Sequence, residues 1–414
     1  MVPVSSDPCR NRRAALLDRW GDGLILVRGA GAAEGRNPNF AYLTGLAEPR
    51  AALLMSTPGV RIGTGRMHPG PDYVRGRMAR QLLFLPVADP LLARWGEEGT
   101  ATLGGVRAED AGVDAVLSSG ELETVLGAAL QSASRLYLVR GWPASVGGED
   151  DPDTVFAARL RRRFFDLEVR DGSRAVHEMR RLKGADEVAR IERAIAVTAE
   201  ALERAFAAAV PGAQEHEVEA EITRVYRRHG ATHAFEPIVG SGANAVLLHY
   251  VANSGPVRSG ELLLLDTGCA LDGYVSDVTR TIPVGGRFNP RQREVYEAVL
   301  RAQEAAFEAC RPGALLGEIH ARTYDVLRRA GFGPHYIHGT SHHLGLETHD
   351  VGDVHAPLAP GAVITVEPGA YLADEALGVR VEDDVLITET GCRVLSAAIP
   401  RTIEQLEARL GAVS

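Results

Sequence analysis

The sequence holds one lysine, Lys183, among its 45 basic residues; all the others are arginine. A GC-rich coding bias accounts for that imbalance without thermal adaptation. Cysteine is scarce too. Cys9, Cys269, Cys310 and Cys392 lie far apart and form no C-x-x-C pair. A disulfide scaffold and a structural zinc knuckle both fit poorly, and a reduced cytoplasmic enzyme fits better. No apolar run approaches the ~20 residues of a membrane helix, so an integral membrane protein is not expected. The opening MVPVSSDPCRNRRAALLDRW lacks an apolar h-region, so no secretory signal is read there. The net charge of −9, from 45 basic and 54 acidic residues, speaks against a general nucleic-acid binder. There is no G-x-S-x-G elbow, no Walker A loop and no H-E-x-x-H. GAGAAEG (29–35) follows a strand, but its third glycine comes one place late for a dinucleotide loop. Asn37-Pro38 then falls where the phosphate-binding helix should begin.

What is present is ordinary globular material: 414 residues, 45% hydrophobic and 24% charged, enough for two or three domains with real cores. GLILVRG (23–29), AALLMS (51–56) and RLYLVRG (135–141) are apolar runs bounded by glycine or charge, as strands are. DTVFAARLRRRFF (153–165) reads as a helix. The pattern changes from about residue 173. Val188, Ile191, Ile195, Leu202 and Ala205 recur near helical spacing and predict a long helix over 185–209, stopped by Pro211-Gly212. Further helices are expected at 215–229, 290–310, 315–330 and from 402, with strands at 236–241, 261–285, 362–367 and 379–396. That order is α+β. The expected domains are a smaller α/β unit over 1–170 and a larger one over 171–414, with a linker near 166–180.

Acids and histidines then occur where soluble proteins rarely put them. Asp266 follows four leucines in LLLLDTGCALDGYVSDVTRTIPV (262–284), and an aspartate ending an apolar strand is costly unless paired. A hairpin turning at Asp272-Gly273 can bring Asp277 face to face with Asp266. Glu367 ends another apolar strand in AVITVEPGAY, and Glu382 lies in GVRVEDDVLITE. Arg380 and Glu382 share a strand face, as does Asp384 if the strand is regular. Six of the 13 histidines fall between 335 and 355, and His249 closes the apolar run ANAVLLHY. Each residue alone reads as a satisfied structural group; the joint pattern points to chemistry. Four carboxylates with one neutral imidazole suit two divalent cations, whose charge they balance. Oxygen-rich ligation favours Mn2+, with Co2+ or Zn2+ as substitutes. Such a site performs metal-assisted hydrolysis.

From about 175 onward the chain resembles the pita-bread metallopeptidases, the family of methionine aminopeptidase, aminopeptidase P and prolidase. The resemblance implies a C-terminal pita-bread catalytic domain preceded by an aminopeptidase P-type α/β domain. It implies that Asp266, Asp277, His342, Glu367 and Glu382 form a dinuclear site. By that analogy Asp277 and Glu382 bridge the ions, Asp266 chelates one, and His342 with Glu367 binds the other. His249 and His349 would contact the scissile peptide, and His338 would line the proline side. Arg380 would orient carboxylates, and Glu367 would act as general base. HGTSHHLGLETHD (338–350) is closest to the aminopeptidase P and prolidase branch. GRNPNFAYLTGLAEPRAALLM (35–55) is similar to the aminopeptidase P amino-terminal domain, and LLFLPVADPLLARWGE (82–97) matches its next strand and loop weakly. Two departures stand out: His343 replaces a common aromatic residue, and only 12 residues separate Glu367 from Arg380.

The expected activity is release of the first residue from small Xaa-Pro peptides. The alternatives are a prolidase, with Arg380 and the histidines clamping a free carboxylate, or cleavage from the C-terminal end. More remote are a peptide-binding module and a metal-independent hydrolase of the creatinase type, which typically lack metal ligands present here. By analogy the chain would form a homo-oligomer, a dimer or tetramer, with no nucleic-acid or membrane partner.

Overall fold

The computed structural model describes residues 6–33, 35–62, 77–89, 94–95, 101–142 and 150–411. Residues 1–5 of the opening stretch, residue 34 of the glycine loop, and 90–93 with 96–97 of the 82–97 match lie outside the described residues. The chain separates into two compact units, Met1–Met179 and Arg180–Ser414. The stretch 166–180 holds strand Glu168–Asp171 and most of helix Ser173–Arg181.

The first unit is built on a six-stranded sheet in the order Ala115–Ser118, Arg77–Leu85, Ala52–Ile62, Leu24–Arg28, Arg135–Val139, Glu168–Asp171. Leu24–Arg28 pairs antiparallel with Ala52–Ile62 and parallel with Arg135–Val139. Leu26, Leu54, Leu136 and Leu138 pack against Leu126 and Leu130 of one helix and Phe156 and Leu160 of another. Each such side chain contributes about 1.5–3 kcal/mol by leaving water. The Phe156 helix, Pro152–Arg163, starts where Asp151 caps it and proline occupies its first turn. The glycine loop has a packing reason. A Cβ on Gly29 would lie 1.9 Å from the Glu48 carbonyl oxygen, and one on Gly31 2.2 Å from that of Arg36. The PNFAYLT stretch is a helix, Pro38–Thr44, capped by Asn37.

In the second unit helices Ala185–Ala208, Glu215–Arg228, Pro290–Ala309 and Leu316–Arg329 surround antiparallel sheets. Ile191, Ile195, Leu202 and Ala205 all face the core, as the periodicity requires. Two hairpins carry the acids. In the first, Leu262–Thr267 pairs with Val278–Pro283, and the same register continues into Cys269–Leu271 and Tyr274–Val275. The turn is at Asp272 (φ 52°) and Gly273 (φ 82°). In the second, Val363–Val366 pairs with Asp383–Ile387, and the register continues into Gly369–Leu372 and Leu377–Arg380.

Candidate active site

Both hairpins are interrupted at the same kind of place. In the first, Gly268 faces Asp277 across the ladder, and Asp266 pairs with Thr279. Asp266 and Asp277 are therefore diagonal neighbours, not directly opposed as the turn alone suggested. Gly268 has a steric role here, since its Cβ would sit 1.8 Å from the Ser276 carbonyl oxygen. In the second hairpin regular pairing stops for Glu367-Pro368 on one strand and Val381-Glu382 on the other. The continuous register puts Glu367 opposite Glu382. Strand Leu377–Arg380 thus ends before Glu382 and strand Asp383–Ile387 begins after it, so the strands expected over 379–396 are present but interrupted at Glu382.

The backbone groups freed by these breaks join the pieces. The Glu382 amide donates to the Thr279 carbonyl at 3.1 Å, linking the hairpins. The Glu367 and Thr365 amides donate to the carbonyls of Thr340 and His342, both at 2.9 Å. That short ladder aligns the histidine segment with the second hairpin. His342 Nδ1 donates to the His343 carbonyl at 3.2 Å, which leaves Nε2 with the lone pair. Nε2 lies 3.5 Å from Asp277 Oδ2 and 3.5 Å from Glu367 Oε1. One donor atom each of Asp277, His342 and Glu382 lies within 4.8 Å of the others, a group able to hold a metal ion.

Asp266 completes the acidic face. Its Oδ2 accepts from Arg380 Nη2 at 2.7 Å, while Oδ1 is buried with no hydrogen-bond partner. Arg380 is the cation hydrogen-bonded at this face, against four buried or half-buried carboxylates. Burial pushes the carboxyls of Asp277, Glu382 and Glu367 upward, and neighbouring acids add to the shift. Divalent cations would reverse that penalty and give Asp266 Oδ1 a partner. The donor set fits them.

Arg380 does not face outward as a carboxylate clamp. It is buried, and its nitrogens bond Asp266, the Tyr371 hydroxyl at 2.9 Å and Thr279 Oγ1 at 3.1 Å. Tyr371 in turn donates to His338 Nε2 at 2.9 Å, because His338 Nδ1 gives its proton to the Gly339 carbonyl. Burial, with Arg380 adding, pushes His338 down to about 4, so it is neutral. Burial pushes Tyr371 up to about 12, so it keeps its proton. His338 also packs against Tyr336. His349 stacks edge-on against His342, with ring centroids 4.3 Å apart. His249 is exposed, and it acts electrostatically on His338 and His349.

Sequence reasoning missed three groups. Tyr371 had a usable signal: Gly369, two residues earlier, leaves room for it, since a Cβ there would meet the Tyr371 hydroxyl at 2.6 Å. Thr279 donates to Glu382 Oε2 at 2.6 Å. The third is a buried ion cluster. Asp350 is held by Arg180 and by Lys183, whose Nζ is 3.0 Å away, and Arg180 also reaches Glu347 at 3.0 Å. The single lysine of the chain therefore anchors the segment that carries His342 and His349.

The comparisons with known proteins agree with this geometry. Residues 189–389 match the model of metallopeptidase family M24. An Xaa-Pro aminopeptidase of Escherichia coli (strain K12) is 32% identical over 418 residues, taking in 90% of this chain and 88% of that protein. The chain belongs to metallopeptidase family M24. The solved aminopeptidase P from E. coli with the inhibitor Pro-Leu superposes with a TM-score of 0.82 at 31% identity, covering 99% of each chain. An Xaa-Pro dipeptidase of Pyrococcus furiosus is 37% identical over 226 residues, 53% of this chain and 64% of that protein. The M24 chain is thus a metallopeptidase with an α+β catalytic unit and an aminopeptidase P-like amino-terminal unit. None of its described helices is long and apolar enough to cross a membrane.

Proposed function

We propose that this M24 chain is an Xaa-Pro aminopeptidase that releases the first residue from small peptides with proline second. The observation that carries the reading is the span of the likeness. The E. coli aminopeptidase match takes in 90% of the chain, amino-terminal unit included, whereas the dipeptidase match takes in 53%. The dipeptidase reading keeps some support from its higher identity of 37% over that shorter stretch.

In this reading Asp266, Asp277, His342, Glu367 and Glu382 hold two divalent cations. The oxygen-rich set suits Mn2+, and Co2+ or Zn2+ can replace it. When bound, the cations supply an ionised water and a Lewis acid for the scissile carbonyl. The protein's own groups do the rest. Arg380 fixes Asp266 in one rotamer, and Thr279 does the same for Glu382. Glu367 takes the proton of the attacking water and delivers it to the proline nitrogen as the C–N bond breaks. That nitrogen is a secondary amine and leaves only when protonated. His338, with Tyr336 and Tyr371 beside it, forms a wall for the apolar proline ring. His249 and His349 contact the peptide and stabilise the developing oxyanion. A cytoplasmic homo-oligomer, dimer or tetramer, belongs to the same reading.

The test strips the protein of metal, restores manganese and offers three substrates: an Xaa-Pro dipeptide, an Xaa-Pro-Xaa peptide, and a longer Xaa-Pro peptide with an amidated C-terminus. Loss of the first residue from the amidated peptide is expected. Cleavage of the dipeptide alone would replace this reading with a prolidase.

A further inference from the structure

Two cysteines that lie 82 positions apart in the sequence come together at one apolar cluster in the fold. Cys310 is the C-cap of helix Pro290–Ala309, and its amide donates to the Phe307 carbonyl at 3.1 Å. Cys392 opens strand Cys392–Val394, and its thiol donates to that same Phe307 carbonyl at 3.4 Å. One oxygen therefore gathers both residues. The two thiols are close enough to perturb each other's ionisation. Both lie in one apolar cluster with Ala306, Leu316, Ile364, Val385 and Ile387.

The pair is asymmetric in the way a redox pair needs. Cys310 is 1% exposed, while Cys392 is half-buried and accessible. The neighbouring Cys310 shifts the ionisation of Cys392 down, against the effect of burial. Cys269 is the contrast. It is fully buried, it donates to the Ala194 carbonyl at 3.3 Å, and burial pushes it up to about 11.

We propose that Cys310 and Cys392 are an oxidation-sensitive pair that closes to an intramolecular disulfide when a hydroperoxide reaches Cys392. The Cys392 thiolate attacks the terminal peroxide oxygen. The O–O bond breaks, Cys392 becomes a sulfenic acid, and an alcohol or water leaves after protonation. The Cys310 sulfur then attacks the Cys392 sulfur, loses its proton, and displaces hydroxide, which leaves as water. Two thiols are oxidised and one peroxide is reduced, so no other reactant is needed. The bond would tie the end of this helix to the strand paired with Asp383–Ile387. From the same helix, Gln303 bonds the carbonyls of Val366 and Val381, beside Glu367 and Glu382. Oxidation would therefore fasten the helix to the sheet that positions two of the acids. This inference does not depend on the peptidase specificity.

The test uses the full reduced chain, treated with hydrogen peroxide, blocked with N-ethylmaleimide and mapped by mass spectrometry. A dominant 310–392 linked peptide is expected, with intact mass lowered by two hydrogens and restored by dithiothreitol. Cys392→Ser should abolish the link, and Cys269→Ser should leave it unchanged. The map of the unaltered chain decides by itself if a variant fails to fold. Peroxide that drives Cys392 to the sulfinic acid without a 310–392 link, or that links other cysteines equally, overturns the proposal.

Discussion

The hairpins at 262–283 and 363–387 deliver their acids by continuous antiparallel register, broken for only a residue or two at the site. The segment 338–350 has no strand of its own. It borrows hydrogen bonds from the Val363–Val366 edge and is fixed by the buried Arg180–Asp350–Lys183 cluster. The acids thus depend on local pairing, and the histidines depend on charges far away in sequence. The difference teaches where each kind of change should register.

The largest effect is expected inside the hairpins. Glu382→Ala removes a donor that faces both Asp277 and His342. It should lower kcat/KM by about 1,000-fold or more, read with manganese in excess. Melting should change little, since the same change relieves repulsion among buried acids. A large loss of stability with activity intact would reverse the comparison.

Next is the anchor of the histidine segment. Asp350→Asn leaves Lys183 buried without its carboxylate and Arg180 with Glu347 alone, and should cost about 3–5 kcal/mol in urea unfolding. The pH dependence sharpens the point. Burial raises the Asp350 carboxyl, but Lys183 and Arg180 outweigh it and hold the group below its usual range. Its contribution is therefore fully present above the ordinary aspartate pKa of about 3.9 and is lost as pH falls through the lower folded value. The variant should lack that acid-dependent loss.

A smaller effect is expected where the two regions meet. Tyr371→Phe cuts the connection between Arg380 and His338. It should lower kcat by roughly 10–100-fold with the metal content unchanged. Parallel loss of metal would place Tyr371 with the cation-holding set. The smallest effect belongs at the hairpin tip. Asp272 is exposed enough that its pair with Arg193 is solvent-screened, and it sits at φ 52°. Asp272→Gly should stay within about 0.5 kcal/mol of the parent in urea unfolding, since glycine accepts that backbone.

The legibility of the sequence follows the same division. Helical spacing placed Ala185–Ala208 within a residue, and apolar runs placed Leu24–Arg28 and Leu262–Thr267. These are local signals, so a linear reading can find them. The same reading singled out Asp266, Asp277, Glu367 and Glu382, because strand-end acids are visible in the sequence, while His342 was picked from the clustered histidines only through the family resemblance. It put Asp266 opposite Asp277 because a turn alone does not fix register. It ran a strand through Glu382 because the break is made by Thr279 and Thr340, residues of other segments. It treated Lys183 as a codon effect, since only the fold brings Asp350 to it. It dismissed four scattered cysteines, and only the fold brings two of them to one apolar cluster.

The most direct test of the central claim is the metal content of the purified chain after manganese reconstitution and desalting, measured beside Glu382→Ala. Two equivalents per parent chain are expected, with a clear deficit in the variant. A parent chain that retains no metal, or equal retention in both, would contradict the assignment of these acids and His342 as a dinuclear site.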